Sequence, residues 1–358
     1  MFHKLTIKDI KRETPECVSL SLHVPDGLKE NFIFTQGQHL VFRGWHEGEE
    51  IRRSYSICSS PYDDELRVAV KRIEEGVFSS HIHSVATVGD EVEVMFPQGS
   101  FYTDLNPDQA KRYVMVAAGS GITPIISIVK SILHFEPASE VVLLFGNRNK
   151  STIIFKEEIE ALKNRYMDRL SVYHILSREH ADAEILSGRI DQQKINYFLN
   201  YIIPSGSVDE VFLCGPEEMI FTCRDAFQEA GVKPNNIHFE LFYSAGVEAK
   251  KKEREKHAQL TPTGPISKVR VKLDAAALEF ELAYDGDSIL EAALKQGADL
   301  PYSCKGGVCA TCKCMLESGE VTMDVNYSLE PDELARGFIL ACQSHPQSAD
   351  VVVNFDIK

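Results

Sequence analysis

The sequence predicts a multidomain α+β protein: an antiparallel β-barrel, then an α/β module with a parallel sheet, then a small strand-rich module around a cysteine loop. Three observations carry the prediction. Short strand-like segments separated by Gly, Pro and Asp fill residues 1–108, and apolar runs alternate with helical ones over 109–245. The stretch "CKGGVCATCKC", residues 304–314, then gathers four cysteines inside a last module spanning 266–358.

The barrel strands read as "KLTIKDIKRE", "CVSLSLHV", "QHLVFRG", "RSYSICSS", "ELRVAVKRI" and "DEVEVMFP". In the second module "YVMVAAG" leads into "ITPIISIVKSILHF", "EVVLLFGN" into "IFKEEIEALKNRY", and "EVFLCGP" into "EEMIFTCRDAFQEAG", the repeated strand-then-helix order of a parallel sheet with crossover helices. Residues 246–265, "GVEAKKKEREKHAQLTPTGP", are polar and charged and end in Pro and Gly, so they read as a linker, with a solvated helix end as the plainer alternative. The last module sets strands "KVRVKLD", "LEFELAY" and "DVVVNFD" and a helix "SILEAALKQG" around the cysteine loop.

A chain of 358 residues, 44% hydrophobic, can bury more than one core without disulfide staples. The opening "MFHKLTIKDI" has no apolar stretch of signal-peptide length, and no run approaches the length of a membrane span. The expectation is a soluble cytoplasmic protein, where clustered thiols stay reduced and serve metal or redox chemistry. A formal net charge of −15 argues against nucleic acid and suits a basic protein partner or merely solubility. The last module, with 15 acidic against 8 basic residues, holds about half of that charge.

Cys304, Cys309 and Cys312 follow a CxxxxCxxC spacing, and Cys342 stands further along in "FILACQSHP". Four thiolates so arranged fit a plant-type 2Fe-2S cluster, with Cys314 surplus. A structural zinc site would show two CxxC pairs where only one is present, which leaves zinc or a redox disulfide as the lesser alternative. The "KGGV" segment lets the backbone bend tightly and aim N–H groups at sulfur.

A one-electron centre needs a source of electrons. "AAGSGITP" lies between a strand and a helix, so Gly119 and Gly121 would let a pyrophosphate approach the helix N-terminus. A lone GxG is usually just a tight turn, but Pro124 and the later "LCGPEEM" add weight. Cys214, Gly215 and Pro216 end a buried strand at its carboxyl edge, where open α/β sheets bind ligands. The plain alternative for Cys214 is a small buried hydrophobe. "SRE" at 177–179 sets Ser177 and Arg178 to grip a 2′-phosphate, which favours NADPH, against surface salt bridging as the ordinary role of such an arginine. NADPH releases two electrons together and a 2Fe-2S cluster accepts one, so something must split the pair; a flavin can, and the barrel is expected to hold it. "RRSYSICSS" supplies Arg53 for a phosphate, Tyr55 for a ring face and Ser56 as a hydroxyl; "EEGVFSSHI" supplies Gly76 and Ser79 at an anion-binding turn.

RxYS, GxxS, GSGxTP and CGP in this order resemble the ferredoxin–NADP reductase superfamily, here in a three-module form covering nearly the whole chain. Within it, "ADLPYSCKGGVCATCKC", "NYSLEPDELARG", "DVVVNFD" and "GQHLVFRG" look like the reductase subunits of phenylacetyl-CoA epoxidases, diiron oxygenases of phenylacetate degradation. The resemblance implies an FAD-binding β-barrel, an NADP-binding α/β domain and a β-grasp ferredoxin domain. It implies FAD on Arg53, Tyr55, Ser56, Ile57, Gly76 and Ser79, and NADPH on Gly119, Gly121, Thr123, Cys214 and Gly215, with Ser177 and Arg178 at the 2′-phosphate. Ser56 and Cys214 take catalytic roles, Glu240 of "HFELF" lies near the flavin, "NRN" at 147–149 lies near the pyridine nucleotide, and Cys304, Cys309, Cys312 and Cys342 hold the cluster. The implied partner is an oxygenase component, with neither nucleic acid nor membrane involved. One departure is visible: the turn reads Glu74-Glu75-Gly76 where relatives often carry paired glycines. Two other readings stand beside this one, a reductase for a steroid or Rieske-type hydroxylase and a redox sensor or carrier without turnover. Ser56, Cys214 and GSGxTP speak against the last, which has no need of hydride geometry.

Overall fold

Alternation at Leu5 and Ile7 makes the first strand one-sided. In the computed structural model β1, His3–Thr14, buries both residues while Lys4 and Lys8 face outward. With β2 (Cys17–His23), β3 (His39–His46), β4 (Glu49–Ser56), β5 (Leu66–Lys71) and β6 (Glu91–Val94) it forms an antiparallel sheet ordered β4-β3-β6-β1-β2-β5. Register shifts after Ile7 and Arg12 bend β1. The sheet's two ends meet where Ile57 bridges Val68 and Cys58 N–H donates to the Arg67 carbonyl at 2.8 Å. That closure makes the barrel and removes the open edges of a flat sheet. Leu5, Ile7, Leu20, Phe42 and Val68 fill its core, and a short helix, α1 (Val77–Ser84), follows β5.

The next five strands form a sheet whose central members are apolar on both faces because helices cover both. The five are β7 (Arg112–Ala118), β8 (Glu140–Asn147), β9 (Leu170–Leu176), β10 (Glu210–Gly215) and β11 (Ile237–Leu241), all parallel, in the order β11-β10-β7-β8-β9. Helices α2 (Ile122–Phe135), α3 (Lys156–Arg165), α4 (Gln192–Tyr201) and α5 (Glu217–Glu229) lie between successive strands. The strand order reverses between β7 and β10, which creates a crevice at their carboxyl ends.

Helix α2 is apolar nearly all round, and the structure explains why. It is covered by the sheet on one side and by the barrel on the other, so Ser127 Oγ donates to the Ser59 carbonyl at 2.6 Å and Ser131 Oγ lies 3.0 Å from Ser60 Oγ. Lys130, mostly buried, pairs with Asp63 and with Glu158. Cys17, Cys58, Ala69 and Phe101 from the barrel side thus share one core with Met115, Ile125 and Phe145.

At the start of β10, Glu210 is buried, with Oε1 on Lys111 Nζ at 2.5 Å and Oε2 facing His238 Nε2 at 3.5 Å. Burial raises its carboxyl pKa, but His238, Lys111 and Thr103 outweigh burial and bring it down to about 2 from 4.5. A carboxylate with a depressed folded-state value stabilises the fold above its unfolded value and loses that contribution as pH falls toward the folded one. The expected contribution, at most about 3 kcal/mol, is therefore complete above about pH 4.5 and fades toward about pH 2. Chemical denaturation from about pH 6 to about pH 3 should show a steeper acid loss in the natural protein than in Glu210→Gln, and parallel slopes would remove this assignment.

The described residues are 2–181, 183–203, 207–242, 264–274 and 276–357, and they divide into two compact units, one over Phe2–Phe242 and one over the residues from Gly264 onward. Of the stretch 246–265 read as a linker, all but Gly264 and Pro265 lies outside the described residues. The second unit holds β12 (Ile266–Leu273), β13 (Ala276–Ala283), β14 (Lys313–Ser318), β15 (Val321–Met323), β16 (Phe338–Leu340), β17 (Ser344–Pro346) and β18 (Asp350–Asn354). Its main sheet runs β13-β12-β18-β14-β16, with β12 and β18 parallel, and β15 pairs with β17 apart from it. Helix Ile289–Lys295 is capped by Ser288, whose hydroxyl accepts the Glu291 N–H at 3.3 Å, and buries Ile289, Leu290 and Ala293 in one core with Val269 and Val351. This is a β-grasp arrangement. Among the described residues no helix is long and apolar enough to cross a membrane.

Candidate functional site

The cysteine loop has no regular structure before β14, and Lys305 (φ 51°), Gly307 (φ 75°) and Ala310 (φ 51°) are all left-handed. For the two residues with a side chain that conformation costs about 1 kcal/mol or more each, strain of a kind that gathers at functional sites. The bends set Cys304 beside Cys309 and Cys312 beside Cys342. Among the described residues no three metal-binding side chains close around a single ion. Four thiols in two neighbouring pairs match the ligand number of a plant-type 2Fe-2S cluster.

Donors surround the sulfurs. Gly306 N–H donates to Cys304 Sγ at 3.3 Å, and Gln343 Nε2 donates to Cys342 Sγ at 3.2 Å and to the Lys305 carbonyl at 3.1 Å. Cys309 and the N–H groups of Gly306 and Val308 pull the Cys304 thiol pKa down; Cys312 and Gln343 do the same for Cys342. One sulfur of each pair is thereby biased to the thiolate, the form that binds iron. The donor set fits a 2Fe-2S cluster. Cys314 instead is buried in the core under β14, its thiol pushed up mainly by burial. Gln343 escaped the sequence reading, its one signal being its place next to Cys342.

In the first unit, Tyr55 stacks on Phe78 at 5.9 Å and meets Phe42 edge-on at 5.5 Å. Arg53 is exposed, and its Nη1 donates to the Arg52 carbonyl at 2.8 Å. Ile57 sends its side chain into the barrel core, so only its backbone faces the neighbouring residues of this stretch. Ser56 is buried, and its Oγ donates to Glu240 Oε2 at 3.3 Å. Cys214, fully buried with its thiol pushed up by that burial, stands opposite Glu240 in the β10–β11 ladder. Ser56, Cys214 and Glu240 therefore meet where the end of β4 reaches the carboxyl edge of the parallel sheet. His39, unremarked in the sequence, lies opposite Ser56 in the β3–β4 ladder with Nδ1 3.9 Å from Glu240 Oε1, and burial pulls it down to about 4, so it is neutral at pH 7. Its only signal was a polar residue inside an apolar strand.

The turn before α1 is closed by Ser79, whose hydroxyl accepts the Ile73 N–H at 3.1 Å and donates to the Gly76 carbonyl at 3.2 Å. Ser79 thus shapes the turn from inside. Glu75, at φ 61°, occupies a left-handed position that glycine would take without strain, next to Gly76 at the helix cap.

Gly119 (φ 55°) and Gly121 form the turn between β7 and α2, and a Cβ on Gly121 would lie 2.1 Å from the Cys214 carbonyl oxygen. Thr123, buried in the first turn of α2, donates through Oγ1 to the Ser120 carbonyl at 2.9 Å. Gly215 follows Cys214 with Met219 and Ala118 close by. Beyond the strand ends, Ser177 N–H donates to the Asn147 carbonyl at 2.9 Å and Arg178 N–H to the Arg148 carbonyl at 2.8 Å. Glu179 is tied to Lys150, accepting its N–H at 2.8 Å and lying 3.5 Å from its Nζ, whereas Arg178 is exposed and makes no ion pair among the described residues. Asn147 holds its Nδ2 buried without a hydrogen-bond partner among the described residues. A cavity of about 690 Å³ opens beside this turn, lined by Lys71, Arg72, Arg148, Ser80, Ser120 and Glu16 among others. Glu74 and Glu75 line it too, so cations and carboxylates share its wall.

Known families match each part. The oxidoreductase FAD-binding domain matches residues 4–102, the oxidoreductase NAD-binding domain residues 115–225, and the 2Fe-2S iron-sulfur cluster binding domain residues 271–347. One of the subunits of 1,2-phenylacetyl-CoA epoxidase from Escherichia coli K12 is 43% identical over 357 residues, an overlap of 100% of this chain and 98% of that protein. The chain belongs to the ferredoxin–NADP reductase superfamily. The reductase is an oxidoreductase whose cofactors are FAD, a 2Fe-2S cluster and NAD(P)H, as the motifs imply. It is also 36% identical to the ferredoxin reductase component of 3-ketosteroid-9-alpha-monooxygenase from Mycobacterium tuberculosis (strain CDC 1551 / Oshkosh), over 99% of this chain and 96% of that protein. The solved structure of phthalate dioxygenase reductase overlays with a TM-score of 0.58 at 25% identity, covering 99% of this chain and 98% of that one. The multidomain α+β architecture expected from the sequence agrees with that likeness.

Proposed function

We propose that the reductase takes electrons from NADPH and delivers them, by way of FAD and the 2Fe-2S cluster, to a diiron epoxidase acting on the ring of phenylacetyl-CoA. The meeting of Ser56, Cys214 and Glu240 at the carboxyl edge of the sheet carries the reading, since a hydride donor and acceptor need such a shared, water-poor edge. The 43% identity along the whole chain to an epoxidase component supports the choice of partner. Bound in the barrel, FAD supplies the conversion from a two-electron donor to a one-electron acceptor.

In this reading residues 1–108 bind FAD, 109–245 bind NADPH and 266–358 hold the cluster. Tyr55 and Phe78 offer an aromatic face, Arg53 a cation for the flavin phosphates, and Gly76 with Ser79 the turn beneath them. Ser56 presents a hydroxyl donor at the reacting edge, and Cys214 is small enough to let the nicotinamide approach. Gly119, Gly121 and Gly215 keep side chains out of the pyrophosphate's way, and Thr123 braces the turn from behind. Lys71 and Arg148 face the phosphates across the cavity, and Cys304, Cys309, Cys312 and Cys342 supply the four thiolates. Such clustered thiols need a reducing compartment, which supports a cytoplasmic location.

Ser177 and Arg178 serve the 2′-phosphate. Because Lys150 occupies Glu179, Arg178 has its guanidinium to give. Arg178→Ala is expected to raise KM for NADPH about tenfold or more with little change for NADH, and equal losses with both would retire the 2′-phosphate assignment.

Anaerobic titration with NADPH should bleach flavin and cluster bands together, taking up about three electron equivalents. Flavin bleaching alone would break the path. The 36% identity to a steroid monooxygenase reductase favours a second reading, in which the same path ends at another oxygenase. NADPH consumption that depends on phenylacetyl-CoA, in the presence of a diiron epoxidase, separates the two.

A further inference from the structure

Glu16 stands in the tight turn between β1 and β2, and its backbone is fixed there. Its N–H donates to Thr14 Oγ1 at 3.3 Å, and its carbonyl accepts the Arg72 N–H at 2.7 Å. From that anchor the carboxylate reaches into the cavity, placing Oε2 4.0 Å from Lys71 Nζ and Oε1 3.8 Å from Arg148 Nη1. Lys71 comes from the barrel and Arg148 from the loop after β8, so a single carboxylate spans cations contributed by two different sheets. Among the described residues neither cation has another ion pair. Lys71 Nζ also lies 3.7 Å from where a Cβ on Gly119 would sit, which sets the ammonium over the GSG turn.

Both contacts are longer than a hydrogen bond and all three side chains are partly exposed, so the carboxylate neutralises the cations without locking them. We propose that Glu16 is a resident counter-ion that competes with the coenzyme's phosphates for Lys71 and Arg148, so that binding exchanges a carboxylate for a phosphate and release restores it. This rests on the reading that coenzyme phosphates enter this cavity. A pyrophosphate, with more charge than one carboxylate, wins the exchange, but at lower affinity than bare cations would give. In return the cations are not left unpaired when the coenzyme leaves, which hastens release.

The test is isothermal titration of the full-length holoprotein with NADP⁺. Glu16→Gln is expected to tighten binding about threefold to tenfold, with the gain shrinking at high salt as exposed charges are screened. Glu16→Asp, which keeps the charge but withdraws it, should give a smaller gain. Lys71→Met should weaken binding, and adding Glu16→Gln to it should recover less than Glu16→Gln gains alone. Unchanged or weaker binding in Glu16→Gln, with Lys71→Met still weakened, would overturn the competition while leaving the cavity's role intact. Unchanged binding in Lys71→Met would overturn the phosphate reading itself, and the proposal with it.

Discussion

Gly121→Ala is expected to destabilise the first unit by about 3 kcal/mol or more and to abolish coenzyme binding. The added Cβ would stand 2.1 Å from the carbonyl oxygen of Cys214, 2.5 Å from its carbonyl carbon and 3.0 Å from the Gly215 nitrogen. Every one of these atoms is backbone, so no side-chain rotation relieves the overlap. Strand β10 cannot retreat, because Cys214 is held in register with Ala117 on one side and Glu240 on the other. The N-terminus of α2 must move instead, pulling Ser127 from Ser59 and displacing the turn that would receive the pyrophosphate. Calorimetry of the full chain should show one transition lowered by roughly 10 °C, with NADP⁺ binding lost. For stability alone, Gly215→Ala makes the milder comparison: its nearest neighbour is the terminal methyl of Met219 at 2.7 Å, which can swing aside, and only the Ala118 Cβ at 3.1 Å and Ala118 nitrogen at 3.3 Å must give by a few tenths of an ångström. A Gly121→Ala protein that melts with the natural one would mean that turn and strand are not in contact.

Cys342→Ser is expected to remove the cluster's visible and paramagnetic signature and to cut electron delivery to an oxygenase by about a hundredfold or more, while NADPH still reduces the flavin. Cys342 sits beside Cys312, and together with Gln343 that neighbour draws its thiol toward the thiolate. A serine hydroxyl holds its proton far more tightly and is a harder ligand, poorly matched to iron in a sulfur cluster. Cys314→Ser provides the contrast: its sulfur lies in the core beneath β14, pushed away from ionisation, and its loss should leave the spectrum unchanged. The reverse outcome, with Cys314 indispensable and Cys342 not, would show that the ligand set is wrong.

What the sequence disclosed follows from the range of each interaction. Alternation at Leu5 and Ile7, or the apolar run "YVMVAAG", is a signal carried by neighbouring residues, so strand type and the order of the three modules were readable. The cysteine spacing was readable for the same reason. His39 and Glu240 meet only because two sheets converge, and Glu16 meets Arg148 only across the cavity, so no spacing announced either contact. The all-round apolar character of α2 did signal burial on every side, yet the identity of its second cover, the barrel, required the tertiary structure. Ser79 shows the opposite case: a motif residue legible by pattern whose hydroxyl is spent within its own turn.

The double covering of α2 also governs descent. A recombination event cutting near residue 108 would part Ser59 from Ser127 and Ser60 from Ser131, and would strip Ile125 and Met115 of neighbours they share with Cys58 and Phe101. Offspring of such an exchange inherit two halves of a core that were never fitted to each other. A crossover after Phe242 leaves all three hydrophobic cores described above whole. Barrel and parallel sheet are therefore expected to pass from ancestor to descendant as a single heritable piece, because the core they share is fitted from both.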